Sequence, residues 1–410
     1  MRARAHWQNA QPPSINTSYF LWPGTAAPER IIRSARLLPF CEHFPHNPLV
    51  TFAVEQLEQE FAARYGFAGS VAAGFGRAAL RLALDAVDPR GGDVLLPDFV
   101  CAQVPEAVRR AGGAPLFYPV GKDLSVAPEI FGAAFTPATR AAIAVHYFGR
   151  PLPSMALLAE ICRERRVAFI EDCALAFGTP GAAAHGDIAL FSFTKSDWCY
   201  GGGLLATRSP ELMARARALR DSSFHAAPGL AFGYGLLRRA DFAANRPARS
   251  RAAEFAGRTL ETLWGFRARG FYDSGKYDTL LPDFAARRAR CLIAELRAQT
   301  AERRRIVEEI YDSLRAAKQL LFRPELSTQD SCAFLLVKSD AGEAFAWRER
   351  AARAGVTLRL CWPSFQDAGP GQTNPALGWL AEHLLLMEIH PRLTEREVQR
   401  IVRCLKQLAR

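Results

Sequence analysis

The sequence predicts an α/β protein: a mostly parallel central sheet with helices on both faces, followed by a smaller α+β unit toward the C-terminus. Three observations lead there. From about residue 50 to 220, amphipathic helical stretches alternate with short apolar runs, the pattern of a parallel sheet covered on both sides. A long helical stretch from about Asp283 to Lys318 then leads into a second set of short apolar runs. The 410 residues are 49% hydrophobic and 23% charged, a balance that gives a large core and excludes a disordered or disulfide-stapled chain.

Element by element, Leu57, Phe61 and Tyr65 recur at helical spacing after Thr51, and Ala78 to Ala86 form a second helix opening after Gly74-Phe75-Gly76. Strands are expected at Val94 to Leu96, Pro115 to Tyr118, Ala141 to Val145, Val167 to Glu171, Ile188 to Phe193 and Gly203 to Thr207. Helices fill the gaps at roughly 103 to 112, 154 to 165 and 209 to 221. The C-terminal unit has expected strands near Ala333 to Val337, Val356 to Leu360 and Leu385 to Glu388, with a final helix from Glu395. Residues 222 to 280, rich in Gly, Arg and aromatics without periodicity, read as an irregular or interface-forming excursion. The expected division is an extension of unassigned role over 1–48, a large α/β domain over 49–240, and the excursion with a small α+β domain over 241–410.

Composition narrows the function classes. No stretch approaches the roughly 18 consecutive apolar residues of a membrane span, and the start Met1-Arg2-Ala3-Arg4 lacks the apolar core of a signal peptide. A cytoplasmic protein is expected. The nine cysteines are scattered and never spaced as Cys-x-x-Cys, which favours reduced thiols and no zinc site. His43 and His46 have no second ligand cluster to complete a metal site. The net charge of +11 is spread along the chain, as in Arg287, Arg288 and Arg290 of one helical stretch, so it reads as solvated helix faces rather than a nucleic-acid surface.

Three segments carry chemistry. Gly186 to Lys195 runs along an apolar strand and places a lysine just past its end, where α/β sheets gather their sites. A lysine held beside apolar residues loses its proton more readily and can form a Schiff base with an aldehyde cofactor, whereas an isolated lysine is ordinarily a solvated cation. Val167 to Cys173 is a strand ending in the carboxylate pair Glu171-Asp172; such an Asp either faces a bound ring nitrogen or caps a helix or turn. Gly74-Phe75-Gly76-Arg77-Ala78 is a turn opening a helix, whose free amides suit a phosphate or merely cap structure. His146, at another strand end, is more often a satisfied structural residue than a catalytic one.

In this order, the phosphate turn, strand-end Asp, Ser192-x-x-Lys195 and Gly202-Gly203 resemble the DegT/StrS-type aminotransferases, which use pyridoxal 5′-phosphate to aminate nucleotide-linked keto sugars. The resemblance extends through Gly91-Gly92-Asp93-Val94-Leu95-Leu96-Pro97, Val145-His146-Tyr147-Phe148-Gly149 and Ile389-His390-Pro391-Arg392-Leu393-Thr394-Glu395. It implies the aspartate-aminotransferase type of fold, a homodimer, glutamate as donor and a polar carbonyl acceptor. It makes Lys195 the Schiff-base lysine and proton shuttle, Asp172 the partner of the pyridine nitrogen, and Ser192 with the Arg77 and Ala78 amides of the Gly76 turn the phosphate cradle.

The chain departs from the family at several of these positions. Leu175 stands where a Gln usually contacts the cofactor's phenolic oxygen, Cys101 where an aromatic usually stacks on the ring, and Arg77 where Thr is usual. The Ser-to-Lys interval is about two residues shorter than in most members, Gly201 replaces a customary Glu, and no Asn-x-Arg element precedes Leu281-Pro282. The expected function is transamination of a keto sugar. Alternatives are a dehydratase-like reaction on the same cofactor, which the retained Lys195 disfavours, and a sugar-nucleotide or partner-binding protein without turnover.

Overall fold

The computed structural model describes residues 51–195, 201–226, 277–323, 325–339, 342–362 and 374–408. The extension over 1–48 with His43 and His46, and most of the 222–280 excursion, lie outside them. The first part of the chain runs α1 (Phe52–Tyr65), β1 (Gly69–Ala73), α2 (Gly76–Val87), β2 (Asp93–Pro97), α3 (Gln103–Arg110), β3 (Ala114–Tyr118), α4 (Pro128–Ala133) and β4 (Thr139–Val145). It continues through α5 (Met155–Glu164), β5 (Ala168–Asp172), β6 (Ile188–Ser192), β7 (Gly203–Thr207) and α6 (Pro210–Ser223). Then follow α7 (Asp283–Ser313), β8 (Phe334–Lys338), α8 (Ala344–Arg353), β9 (Arg359–Leu360), α9 (Pro375–His383), β10 (Leu384–Glu388) and α10 (Glu395–Leu408).

Strands β1 to β7 form a seven-stranded sheet in the order β1-β7-β6-β5-β4-β2-β3, parallel from β3 through β6, with β7 antiparallel to both its neighbours. Strands β8, β10 and β9 make a smaller antiparallel sheet. This is the expected mixed architecture with its smaller C-terminal unit. Strand β6 is buried at every position, as a strand covered on both faces must be. Its alternate residues feed two cores. Ala189 and Phe191, with Phe193 beyond them, join Leu57 and Phe61 of α1 and Ala285 and Ala289 of α7; Ile188 and Leu190 join Leu80 and Leu84 of α2. Each such large side chain contributes about 1.5–3 kcal/mol by leaving water.

Local signals explain the helix ends. Gly66 closes α1 in the left-handed conformation (φ 70°), donating to Ala62 O. Thr394 and Glu397 open α10 as a reciprocal capping box, the Glu397 Oε2 accepting from the Thr394 amide at 2.8 Å. The long helix stops at Ser313 and not at Lys318, because Ala317 leaves helical geometry (φ −134°, ψ 34°) and the chain continues as 3₁₀ turns over Arg315–Leu320. Strand β9 is shorter than expected, pairing only Arg359 and Leu360 with β10.

Candidate active site

Strand alternation decides which side chains meet. The registered pairs of β5 and β6 are Ile170 with Ile188, Glu171 with Ala189 and Asp172 with Leu190, and registered residues of neighbouring parallel strands share a face. Since Ala189 and Phe191 face α1 and α7, Asp172, Leu190 and Ser192 face α2. Phe193, fully buried with its ring centroid 5.4 Å from that of Phe177, anchors a single 3₁₀ turn, Phe193–Lys195, that ends on the lysine. Lys195 therefore stands just beyond Ser192 at the carboxyl ends of the strands.

The start of α2 closes the same space. Ser192 is buried, and a Cβ on Gly76 would come within 3.1 Å of its Oγ, so glycine is what lets the helix begin against the serine. Gly203, registered opposite Ser192, is under a harder constraint: a Cβ there would lie 2.2 Å from Phe75 O. Gly202 (φ 100°) laces the three segments, donating to Gly74 O at 2.6 Å and accepting from the Phe193 amide at 3.0 Å. At the tip of α2 the Ala78 and Ala79 amides turn back to Phe75 O at 2.9 and 3.0 Å. The amides left without an acceptor among the described residues are those of Gly76 and Arg77, so Ala78 is not the open donor expected from the sequence.

Electrostatics tie the rest together. Burial lowers the Lys195 ammonium below its ordinary value, with Cys101 and Glu388 opposing and Arg359 and Arg77 adding to the drop. Burial raises the Asp172 carboxyl, partly offset by the Ala174 amide, His146 and Lys195. Burial likewise raises the Cys101 thiol, while Lys195 and Arg77 pull it down and Asp172 pushes it up. Lys195, Asp172, Cys101 and Arg77 thus share one space, at the mouth formed by β2, β5, β6 and α2. Leu175, 9% exposed, belongs to the same apolar cluster as Tyr147 and Phe148 and offers no polar group there. The Arg359–Glu388 ion pair (2.9 Å) reaches this mouth from the small sheet; both strands are expected from the sequence, but their pairing across the sheet, which brings the two side chains together, is not.

The opposite face of β5 is built differently. Glu171, fully buried, accepts from His146 Nε2 (2.6 Å) and the Ala183 amide (2.7 Å) on Oε1, and from the His185 (3.0 Å) and Gly186 (2.8 Å) amides on Oε2. The Leu152 amide donates to His146 Nδ1 at 2.9 Å, which places the ring proton on Nε2, facing Glu171. Burial would raise this carboxyl, but the His146 bond and the amides outweigh it and hold it below its ordinary range. His146, Glu171 and Cys173 have donor atoms within 4.8 Å of one another, yet every nitrogen and carboxylate oxygen of the pair is already engaged. His146 is a structural residue whose own amide donates to Asp172 O at 3.1 Å.

An amine that gives up its proton readily, a carboxylate on the neighbouring strand end, and two open amides beside a buried hydroxyl fit a compound with an aldehyde, a basic ring nitrogen and an anionic group. Residues 51–234 match the profile of the DegT/DnrJ/EryC1/StrS aminotransferase family. Over these residues, somewhat less than half of the chain, it is similar to that family. Over 175 residues it is 38% identical to a UDP-N-acetyl-3-dehydro-alpha-D-glucosamine 3-aminotransferase of Acidithiobacillus ferrooxidans, covering 40% of this chain and 47% of that protein. The chain thus matches about half the length of this relative. In fold it is similar to the aminotransferase TlmJ from Streptoalloteichus hindustanus, with a TM-score of 0.68, 22% identity, and coverage of 95% of this chain and 98% of that one. It is similar also to Helicobacter pylori PseC, an aminotransferase involved in the biosynthesis of pseudoaminic acid, with a TM-score of 0.70, 11% identity, and coverage of 95% and 99%.

Proposed function

We propose that the chain is a pyridoxal-phosphate-dependent aminotransferase that passes an amino group, with glutamate as donor, to a keto sugar carried on a nucleotide. The observation that carries this reading is the meeting of Lys195, Asp172, Ser192 and the open α2 amides on one side of the sheet. Lys195 would hold the aldehyde carbon, Asp172 the ring nitrogen, and Ser192 Oγ with the Gly76 and Arg77 amides the phosphate. When bound, the cofactor supplies an electron sink that lets a carbon next to nitrogen lose a proton. Lys195, whose ammonium burial lowers below its ordinary value, would take that proton as base and return it as acid. Asp172 sets its charge against the ring nitrogen.

The acceptor class is supported by the Acidithiobacillus relative, whose name places its amino group on position 3 of a UDP-linked sugar. The protein is expected to act in the cytoplasm as a homodimer, with the unit over 49–240 holding the cofactor and the unit over 241–410 covering it. The experiment is to titrate the purified protein with pyridoxal phosphate, reduce with borohydride and map the modified peptide. The tag is expected on Lys195. Absence of a violet-edge absorption band, or a tag on another of the six lysines, overturns the reading. A tagged Lys195 without glutamate-dependent amination of UDP-linked 3-keto sugars overturns the acceptor.

A further inference from the structure

Arg77 is half-buried at the tip of α2, and its guanidinium lies 5.7 Å from the ring centroid of Tyr277. That ring is itself fixed: Tyr277 is 2% exposed, its hydroxyl bonds Gln103 Oε1 at 2.7 Å, and Arg110 lies over the same ring at 4.6 Å. Nearby arginines on comparable helices have acids to neutralise them. Arg81 bonds Asp85 at 2.8 Å and Arg110 bonds Glu106 at 2.8 Å. Arg77 has no hydrogen-bond acceptor and no ion-pair partner among the described residues. Its charge is nonetheless felt by both Lys195 and Cys101. The same residue carries one of the two open amides beside Ser192.

We propose that the Arg77 guanidinium, held by the Tyr277 ring, is a phosphate-binding group of this pocket that grips the phosphate monoester alongside the α2 amides and Ser192 Oγ. A guanidinium offers a phosphate two parallel N–H bonds in a fixed fork, and a cation left uncompensated in a partly desolvated position gains most from a dianion. The serine and the two amides alone provide dipoles; Arg77 adds the only full positive charge that this donor set contains besides the lysine. The inference rests on the functional reading above, and it separates the phosphate from the rest of the cofactor.

The test compares wild type, Arg77→Thr and Arg77→Lys for binding of pyridoxal phosphate and of phosphate-free pyridoxal, followed by absorbance at low and high salt, and for melting in inorganic phosphate. Arg77→Thr is expected to bind pyridoxal phosphate about tenfold to a hundredfold more weakly, with pyridoxal unchanged, and Arg77→Lys to recover part of the loss. Inorganic phosphate should raise the melting temperature of wild type more than that of Arg77→Thr. Equal affinity of Arg77→Thr and wild type for pyridoxal phosphate overturns the inference while leaving the functional reading intact. Equal weakening toward both ligands also overturns it, since the phosphate would then not be what Arg77 senses. A wild type that binds no pyridoxal phosphate sinks the functional reading and this inference with it.

Discussion

Glu171 and Asp172 are neighbours in β5, yet the two faces of the sheet treat them oppositely. On one face Glu171 is met by four donors and held charged; on the other Asp172 has one backbone donor, the Ala174 amide at 2.9 Å, and burial makes its charge costly. Lys195 and Arg77 stand on the second face, the one displaced toward its neutral form and the other without an acid among the described residues. Polar groups that are fully satisfied hold the ends of β4 and β5 in place. Those left under-compensated are the ones that a ligand can complete.

Substitutions on the two faces should therefore separate stability from function. The largest effect is expected for Lys195→Ala, with amino transfer falling roughly 10³-fold or more while the melting temperature stays near wild type, measured by a glutamate-dependent assay and a thermal melt. Asp172→Asn should lower turnover by about 10²-fold without loss of stability in the cofactor-free protein, because it removes a poorly compensated charge. Glu171→Ala should do the reverse of that in stability, destabilising by about 3–5 kcal/mol in denaturant titration, as it strands buried His146 and the Ala183, His185 and Gly186 amides. If Asp172→Asn proves the more destabilising of the two, the contrast between the faces is wrong.

Smaller pH effects sharpen the comparison. Glu171 is lowered in the folded protein, so between that value and its ordinary 4.5 the unfolded chain binds more protons, and its stabilisation is lost as pH falls through the window. Asp172 is raised, so the folded protein binds more protons between 3.8 and its folded value, and stability is lost as pH rises through that window. Denaturant titrations from pH 3 to 7 of wild type, Glu171→Gln and Asp172→Asn should show the two differences running with opposite slopes. Lys195, lowered from 10.5, should be labelled by an amine-directed reagent with an inflection below that value, and Arg77→Thr should move the inflection upward by removing a like charge. An unchanged inflection would place Arg77 away from the lysine.

The sheet strands from β2 to β7 were legible because each is a compact apolar run, and Lys195, Asp172 and Ser192 because they close such runs. Strand β1 escaped notice: Gly69-Ser70-Val71-Ala72-Ala73 is too small-residued to signal a strand, and it is buried because it pairs with β7 while α1 packs on Ala72 and Met213 lies against Gly69. Helices α8 and α9 were hidden for a different reason, since at ten and nine residues they are too short to show a clear helical period. At the site, local sequence placed the open amides one residue too late. It could not register Tyr277, the Arg359–Glu388 pair or the four donors of Glu171, because these meet through distances in sequence that no spacing rule spans.

The position of β7 sets a timetable for the nascent chain. The turn after β1 and the serine of β6 are not adjacent in the sheet; β7 lies between their strands, and its first residue is the glycine over which Phe75 O crosses. Until the ribosome has released the chain past Thr207, β1 and β6 each present an unpaired edge, open to pairing with other chains. The loop that must close before they are joined is long, and its entropy is paid before any contact in the pocket is made. A chain interrupted before β7 thus carries Lys195, Asp172 and Ser192 but lacks the strand whose Gly203 lets Phe75 O cross and so joins the start of α2 to Ser192.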